Sequence, residues 1–556
     1  MIAYEPGRYL RYDEMTAFLQ ACAAEYPELC TLAEVGRSAG GRSVWAVTLT
    51  NAGTGLHDRK PGYLVDANTH AGEVTGGAAA LYTIWWLLTK YGLDSAATEL
   101  LDTRAVYAIP RIAVDGVEMY LTTPHLLRSS PRRYPEPDEP PGLYPADANG
   151  DGKILTMRAT HPDGDWKVSA ADPRAMVRRR PEDRVGPFYR LYTEGFIKGW
   201  DGLAVPPPRA PWRLDFNRNY PAFWNPEAKQ PGAGPYPLSE PETRAVADFI
   251  VRHPNIGAYV AFHTTGSVLL RPPSYGPDDK MSAPDLEVFK RIGELCTRLT
   301  GSPCKSTFQA FHFPGQEALV KGADDWAYEH YGIQAFTFEL WNPDLRSGGE
   351  GYAQIGLAGL LARSAEQEDE AERKRLAWND RELGGRGFVD WAPFDHPQLG
   401  PVEIGGWDWK QSLQNPPEGP LLVEEVRKAS AFIVAHALAT PRLAVALTAE
   451  PLGAGLYKLT AAVQNVGGLP TNVTDMAVSM KTARPISVKL AGDVAVLSGK
   501  SAQELGHLEG WVAAGGRPAR SEIWVDWVVR STHAVVTVST PRAGTASAQW
   551  NAPSER

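Results

Sequence analysis

Hydrophobic and polar positions alternate along this chain in two different rhythms. From Tyr12 to about Thr440, short apolar runs trade places with longer amphipathic stretches. Tyr63–Asp66, Ala105–Ile109, Ala258–Phe262 and Ala335–Leu340 are almost continuously apolar, the pattern of strands buried on both faces. Ser43–Leu49 reads as another strand. Helical spacing predicts helices over Tyr12–Tyr26, Thr75–Tyr91, Glu240–Val251 and Asp285–Leu299. Strands alternating with helices predict an α/β fold, a mixed twisted sheet flanked by helices. The rhythm is interrupted over about 124–211, a stretch rich in Pro, Arg, Asp and Gly that predicts an irregular insertion, of the kind that often serves as a lid or mobile loop.

After Pro441 the period changes to short alternating runs, Leu443–Thr448, Tyr457–Gln464 and Glu522–Val529, separated by Gly, Pro and Asn turns. That spacing predicts an all-β sandwich. The expected division is a catalytic α/β part over 1–440 and a β-sandwich over 441–556.

Composition narrows the classes. The chain of 556 residues has 43% hydrophobic and 22% charged residues and a net charge of −9, which argues against a nucleic-acid partner. Its apolar block Ala78–Leu88 is too short to span a bilayer, so no membrane partner is expected. The first residues carry no basic stretch followed by an apolar one, so a cytoplasmic location is expected; removal of a leader would leave the same sequence and a secreted protein. The four cysteines, Cys22, Cys30, Cys296 and Cys304, show no metal-ligand spacing and read as reduced, mostly buried thiols.

The chemistry gathers after the predicted strands. Asn68-Thr69-His70-Ala71-Gly72-Glu73 follows the first fully apolar strand and opens an apolar helix. A His and a Glu three positions apart can supply two ligands to one zinc ion, but with 12 histidines in the chain roughly one such match arises by chance. Three further segments change that weighting. Asp215-Phe216-Asn217-Arg218-Asn219 is polar and capable, His263 ends one apolar strand, and Glu339 sits inside Phe336-Thr337-Phe338-Glu339-Leu340. Open α/β sheets bind ligands beyond the carboxyl ends of their strands. Singly, His263 is a satisfied core histidine and Glu339 an ion-paired structural acid; together they point to one site.

Taken with the Asp115-Gly116 turn and their order along the chain, these motifs resemble the zinc carboxypeptidase A/B family over about Tyr12–Trp341, the insertion excepted. The resemblance implies one Zn²⁺ held by His70, Glu73 and His263, with water in an open position. It implies Asp215 as the partner of the His70 ring, Glu339 as general base and Arg128 as the stabiliser of the oxyanion, with Arg132 and Arg133 close enough to substitute. Asn217 and Arg218 become the clamp on a free C-terminal carboxylate, and the substrate a peptide or amide carrying one. Asp324 falls where the family sets specificity, which implies removal of Lys or Arg; the competing reading of Asp324-Asp325 is a helix cap. Arg271 is a rival pocket residue that would favour acidic side chains. The family's capping tyrosine aligns with Glu317, and His312 and Phe313 lie nearby, so that role departs from the pattern.

Two signals stand outside the resemblance. Asp147-Ala148-Asn149-Gly150-Asp151-Gly152 copies the first half of an EF-hand loop, making Asp147, Asn149 and Asp151 ligands for a structural Ca²⁺, although position 12 is Arg158. The alternative there is a Gly/Asp turn. Trp391, Trp407 and Trp409 either line a surface groove or pack internally. The expected function is a zinc-dependent carboxypeptidase. The rivals are an amidase acting on cell-wall peptides or small amides, and a non-catalytic binding protein.

Overall fold

The computed structural model describes residues 3–136, 138–312, 322–512 and 520–553. Its centre is an eight-stranded mixed sheet in the order Cys30–Arg37, Ser43–Leu49, Ala105–Ile109, Gly62–Ala67, Ile256–Thr264, Gln334–Leu340, Val268–Arg271, Cys304–Ser306. The four strands beginning at Ala105, Gly62, Ile256 and Gln334 run parallel, and all four are almost wholly buried. Side-chain alternation divides each of them between two cores. Tyr63 and Val65 pack with helices Tyr12–Glu25, Val74–Lys90 and Pro420–Leu438, whereas Leu64 points to the opposite face with helices Pro241–Arg252 and Ala323–Tyr331. Two-sided burial explains why these strands read as continuous apolar runs.

The stretch expected to be irregular is not. Residues 142–198 carry six strands. Gly142–Pro145 pairs with Gly195–Lys198, and the other four join Phe388–His396 and Gly400–Trp407 in a second, six-stranded sheet. Three to five residues per strand give too few alternations to register as a period, and the strand that joins this stretch to the second sheet, Thr156–Thr160, pairs with Gly400–Trp407 more than two hundred residues away in sequence.

The C-terminal region is a six-stranded antiparallel sheet built on the long strand Glu522–Thr540. The first half of that strand pairs with Leu456–Asn465 and the second half with Gly544–Asn551, so one bent strand serves both ends and encloses Leu459, Val488, Trp527 and Val536. All four cysteines are free thiols, three of them buried. Among the described residues, no helix is long and apolar enough to cross a membrane.

Candidate metal and active site

Three neighbouring parallel strands deliver the site. The chain leaves the Gly62–Ala67 strand through Asn68, whose positive φ of 56° turns it sharply, and Asn68 Nδ2 donates to the Glu73 carbonyl at 2.7 Å. His70 and Glu73 lie in that turn, just before helix Val74–Lys90. On the next two strands, His263 and Glu339 are direct partners in register.

His70, Glu73 and His263 are buried and offer ligand atoms all within 4.8 Å of one another. His70 Nδ1 lies 2.8 Å from Glu73 Oε1, His263 Nδ1 lies 2.8 Å from Glu73 Oε2, and the two imidazole nitrogens are 3.1 Å apart. The far nitrogen of His70, Nε2, is 3.0 Å from Asp215 Oδ1. Asp215 is held ionised: burial alone would raise its pKa, but Arg128, Arg218 and His70 take it well below the ordinary carboxylate range. An ionised carboxylate only accepts, so Nε2 carries the hydrogen, and a cation placed between Nδ1, Glu73 and His263 would meet the Nδ1 lone pair. Two nitrogens and a carboxylate converging on one point are a donor set that fits zinc.

The same charges shape the titration of the cluster. Burial works against ionisation of Glu73, yet the two imidazoles hold its carboxyl well below the usual range. Burial likewise lowers His263, but Glu73 outweighs it and holds the imidazole at about 9. Glu339 is pushed up to about 8 by burial and by the Glu73 charge. Its Oε2 is buried and has no hydrogen-bond partner among the described residues. A cation among His70, Glu73 and His263 opposes both effects on Glu339 and favours its ionised form.

Arg128 reaches the cluster because its own segment is clipped on two sides. The Arg128 carbonyl accepts from Ala71 N at 2.7 Å, Ser129 Oγ donates to the Thr69 carbonyl at 2.7 Å, and Phe216 N donates back to Ser129 Oγ at 3.1 Å. From there Arg128 Nε donates to Asp215 Oδ2 at 2.8 Å, with Nη1 3.6 Å from Glu73 Oε1. Arg132 is drawn away by Glu240 and Arg133 by Glu139, so neither takes the place of Arg128. Asp215 caps the short turn Phe216–Arg218 through the Asn217 N–H. Asn217 Oδ1 accepts from Ala323 N at 3.0 Å, tying this turn to the start of helix Ala323–Tyr331, where Asp324 and Asp325 lie. The two acids divide their labour. Asp325 accepts from Gly322 N and closes the cap, whereas buried Asp324 is bonded to Thr337 and kept protonated more readily than usual by burial.

Four expected residues are committed elsewhere. Arg271 is buried with both Asp278 oxygens at 2.7 Å and donates to the Pro272 carbonyl, so its charge is spent within its own loop and no bond joins it to the cluster. Asp147 Oδ1 accepts from Gly150 N and Asp151 N and its Oδ2 from Gly152 N; Asn149 Oδ1 accepts from Asp151 N, and Asp151 Oδ1 from Lys153 N. Arg158 pairs with Glu403. This is a turn satisfied by its own backbone, and nothing in it supports a Ca²⁺ site. Glu317 and Phe313 lie outside the described residues.

Sequence patterns miss three residues. Ser129 joins the motifs as described. Asn415 accepts from Thr75 N and Thr75 Oγ1 and donates to the Gly72 carbonyl, pinning the entry of helix Val74–Lys90 from 340 residues away. Tyr352, whose hydroxyl is buried without a partner among the described residues, feels the charges of Glu339 and Glu73. Only long-range packing reveals them.

Comparison with known proteins agrees with this geometry. Human carboxypeptidase B is 23% identical over 340 residues, 60% of this chain and 63% of its own length. Mouse carboxypeptidase A2 is 25% identical over 344 residues, with the same coverage. The chain thus matches less than two thirds of these relatives. The crystal structure of thrombin activatable fibrinolysis inhibitor aligns with a TM-score of 0.39 at 18% identity, over 66% of this chain and 74% of that one. Residues 443–551 match a family described only as a domain of unknown function. The zinc carboxypeptidase family model matches residues 15–347, which carry His70, Glu73, Arg128, Asp215, His263 and Glu339, and the chain belongs to that family.

Proposed function

We propose that the protein is a zinc-dependent carboxypeptidase that releases the last residue of a peptide. The observation that carries this reading is Glu339, in register beside His263 with an unpartnered buried oxygen facing the three-ligand cluster's side of the sheet. His70, Glu73 and His263 hold the metal, and a zinc ion there supplies Lewis acidity that polarises a carbonyl and acidifies water. Glu339 takes the proton of the attacking water at its carboxylate and returns it to the leaving amine nitrogen. Arg128, fixed by Asp215, places its guanidinium where negative charge develops on the carbonyl oxygen. Asn217 spends its oxygen on Ala323 N, which leaves its amide N–H₂ as the donor that, with Arg218, would grip the terminal carboxylate.

Asp324 supports a preference for Lys or Arg at the C-terminus. Asp325 closes the cap, while Asp324 bonds Thr337 and backbone N–H groups of its own turn and is protonated more readily than usual by burial, so a cationic side chain would favour its ionised form. Mass spectrometry on peptides varied at the last residue tests both statements. Single-residue losses from Lys and Arg ends are expected, abolished in Glu339→Gln while zinc stays bound, and Asp324→Asn should lower the Lys/Arg preference at least about tenfold. Undiminished turnover in Glu339→Gln removes that residue from the mechanism.

A further inference from the structure

A cavity of about 920 Å³ lies between the second sheet and the helical segment around residues 360–375. More than a third of its walls come from beyond residue 347, where the family match ends, and much of the rest from residues 144–193. Five tryptophans line it, Trp166, Trp212, Trp391, Trp407 and Trp409, together with Tyr144 and Phe388. Their ring edges are partly spoken for, since Trp407 Nε1 donates to Glu372 and Trp391 Nε1 to the Arg174 carbonyl. The charges in the wall cancel locally. Arg375 pairs with Glu372 and Asp344, Arg174 with Asp172 and Asp380, and Arg133 with Glu139. Arg363 is the exception, bonded to the Glu350 carbonyl, and Arg158 and Arg178 lie over one face of Trp391 and Trp166, so the cavity presents apolar surface and the rings of Trp212, Trp407 and Trp409.

Its position gives it a role. Leu360, Arg375, Trp409 and Leu413 also line a smaller cavity of about 220 Å³, whose other wall includes Thr265, Gly266 and Tyr352. Thr265 follows His263 by two residues, and His125 and Leu126 in the large cavity precede Arg128. The chamber therefore adjoins the site: Arg128 N donates to the carbonyl of the lining residue Trp212 at 3.4 Å, and Tyr352 of the smaller cavity feels the charges of Glu339 and Glu73. None of Asn217, Arg218 and Asp324 lines either cavity, so the chamber meets the part of a substrate that those residues do not hold.

We propose that this chamber binds the acyl side of the substrate, the portion preceding the scissile bond, and selects an aromatic group there. The inference rests on the carboxypeptidase reading for which end of the substrate is which, but its test does not need turnover. Aromatic rings stack on indole faces, and burying one against them contributes about tenfold or more in affinity. Dansyl-Ala-Ala-Lys and acetyl-Ala-Ala-Lys share every group held near Asn217, Arg218 and Asp324 and differ only in the acyl cap. Binding to zinc-loaded Glu339→Gln, read by dansyl anisotropy and by displacement with the acetyl peptide, should favour the dansyl peptide at least about tenfold. Adding Trp409→Ala, which removes a half-exposed ring, or Leu360→Trp, which fills the passage, should abolish the preference, with circular dichroism confirming the fold. Equal affinity for the two peptides, or a preference that survives both variants, overturns the proposal. A preference lost in both variants, in a protein that hydrolyses no peptide when Glu339 is intact, upholds the chamber and rejects the carboxypeptidase reading.

Discussion

Asp215 carries more of the site than any single metal ligand. One oxygen fixes the His70 tautomer and also caps the turn that presents Asn217 and Arg218; the other anchors Arg128. Asp215→Asn keeps the shape and removes the charge. Zinc affinity, measured by competition with a chelating dye, is expected to fall about 10- to 100-fold, the usual cost of losing the partner of a ligating histidine. Unchanged affinity would mean that His70 is oriented by packing alone. At this scale the sequence is most informative where chemistry is local. His70 and Glu73 are three residues apart, and His263 and Glu339 interrupt apolar runs, so each is visible as an anomaly in its own window. Arg271 and the Asp147 loop mislead for the opposite reason. Their residue types suit a ligand, but Asp278 and a row of backbone N–H groups take the same atoms first, and that competition is settled only in three dimensions.

Elements place these residues through close approaches that tolerate no extra atom. Gly116, near the start of helix Val114–Thr122, has the Ser129 carbonyl oxygen 1.9 Å from where a Cβ would stand. Gly116→Ala should therefore push back the Ser129 segment and with it Arg128. Expected is a loss in kcat of about tenfold or more with zinc content unchanged, since a displacement near 1 Å at a charge-stabilising group is enough for that. Wild-type kcat would show that the segment yields without moving Arg128. Helix Pro241–Arg252 carries a different burden. Glu242 is buried, accepts from Ala39 N at 3.0 Å through Oε1, and leaves Oε2 without a partner among the described residues. Burial, then the charges of Glu240 and Asp115, push it up to about 7. A raised acid favours its neutral form in the folded state, so the penalty grows as pH rises from about 4.5 to 7 and is constant above. Glu242→Gln keeps the Ala39 bond and should stabilise the protein by on the order of 2 kcal/mol at pH 8 and by nothing at pH 4 in urea unfolding. An equal effect at both pH values would place the origin elsewhere. The pH signature could not be read from sequence, because Glu242 in a helix of alternating character looks like any solvated acid.

Across the whole molecule, the question is whether the two sheet regions behave as one body. Change of rhythm after Pro441 makes the C-terminal region look separable, and its strands do enclose a core of their own. Contacts point the other way. Leu469, Val473 and Val512 belong to the same buried cluster as Tyr63 and Phe336 of the central sheet. Buried Arg542 donates to the carbonyls of Gly332 and Tyr331, at the end of the helix that begins with Asp324. Thr474 Oγ1 donates to the same Gly332 carbonyl, and Asp285 accepts from Asp475 N and Met476 N. These bonds hold the C-terminal end of the helix whose first turn carries Asp324, so the C-terminal sheet steadies that helix. A single calorimetric transition is expected for the intact chain. Arg542→Ala leaves two buried carbonyls short of a charged donor and should cost about 2–3 kcal/mol, lowering the melting temperature by a few degrees. It should also soften the discrimination among C-terminal residues more than it lowers kcat for the best substrate, because the damage enters through helix Ala323–Tyr331 and not through the strands that carry His263 and Glu339. Two well-separated transitions in the unaltered protein would show instead that the shared cluster is too weak to couple the regions, and Arg542 would then affect neither melting of the catalytic part nor its selectivity.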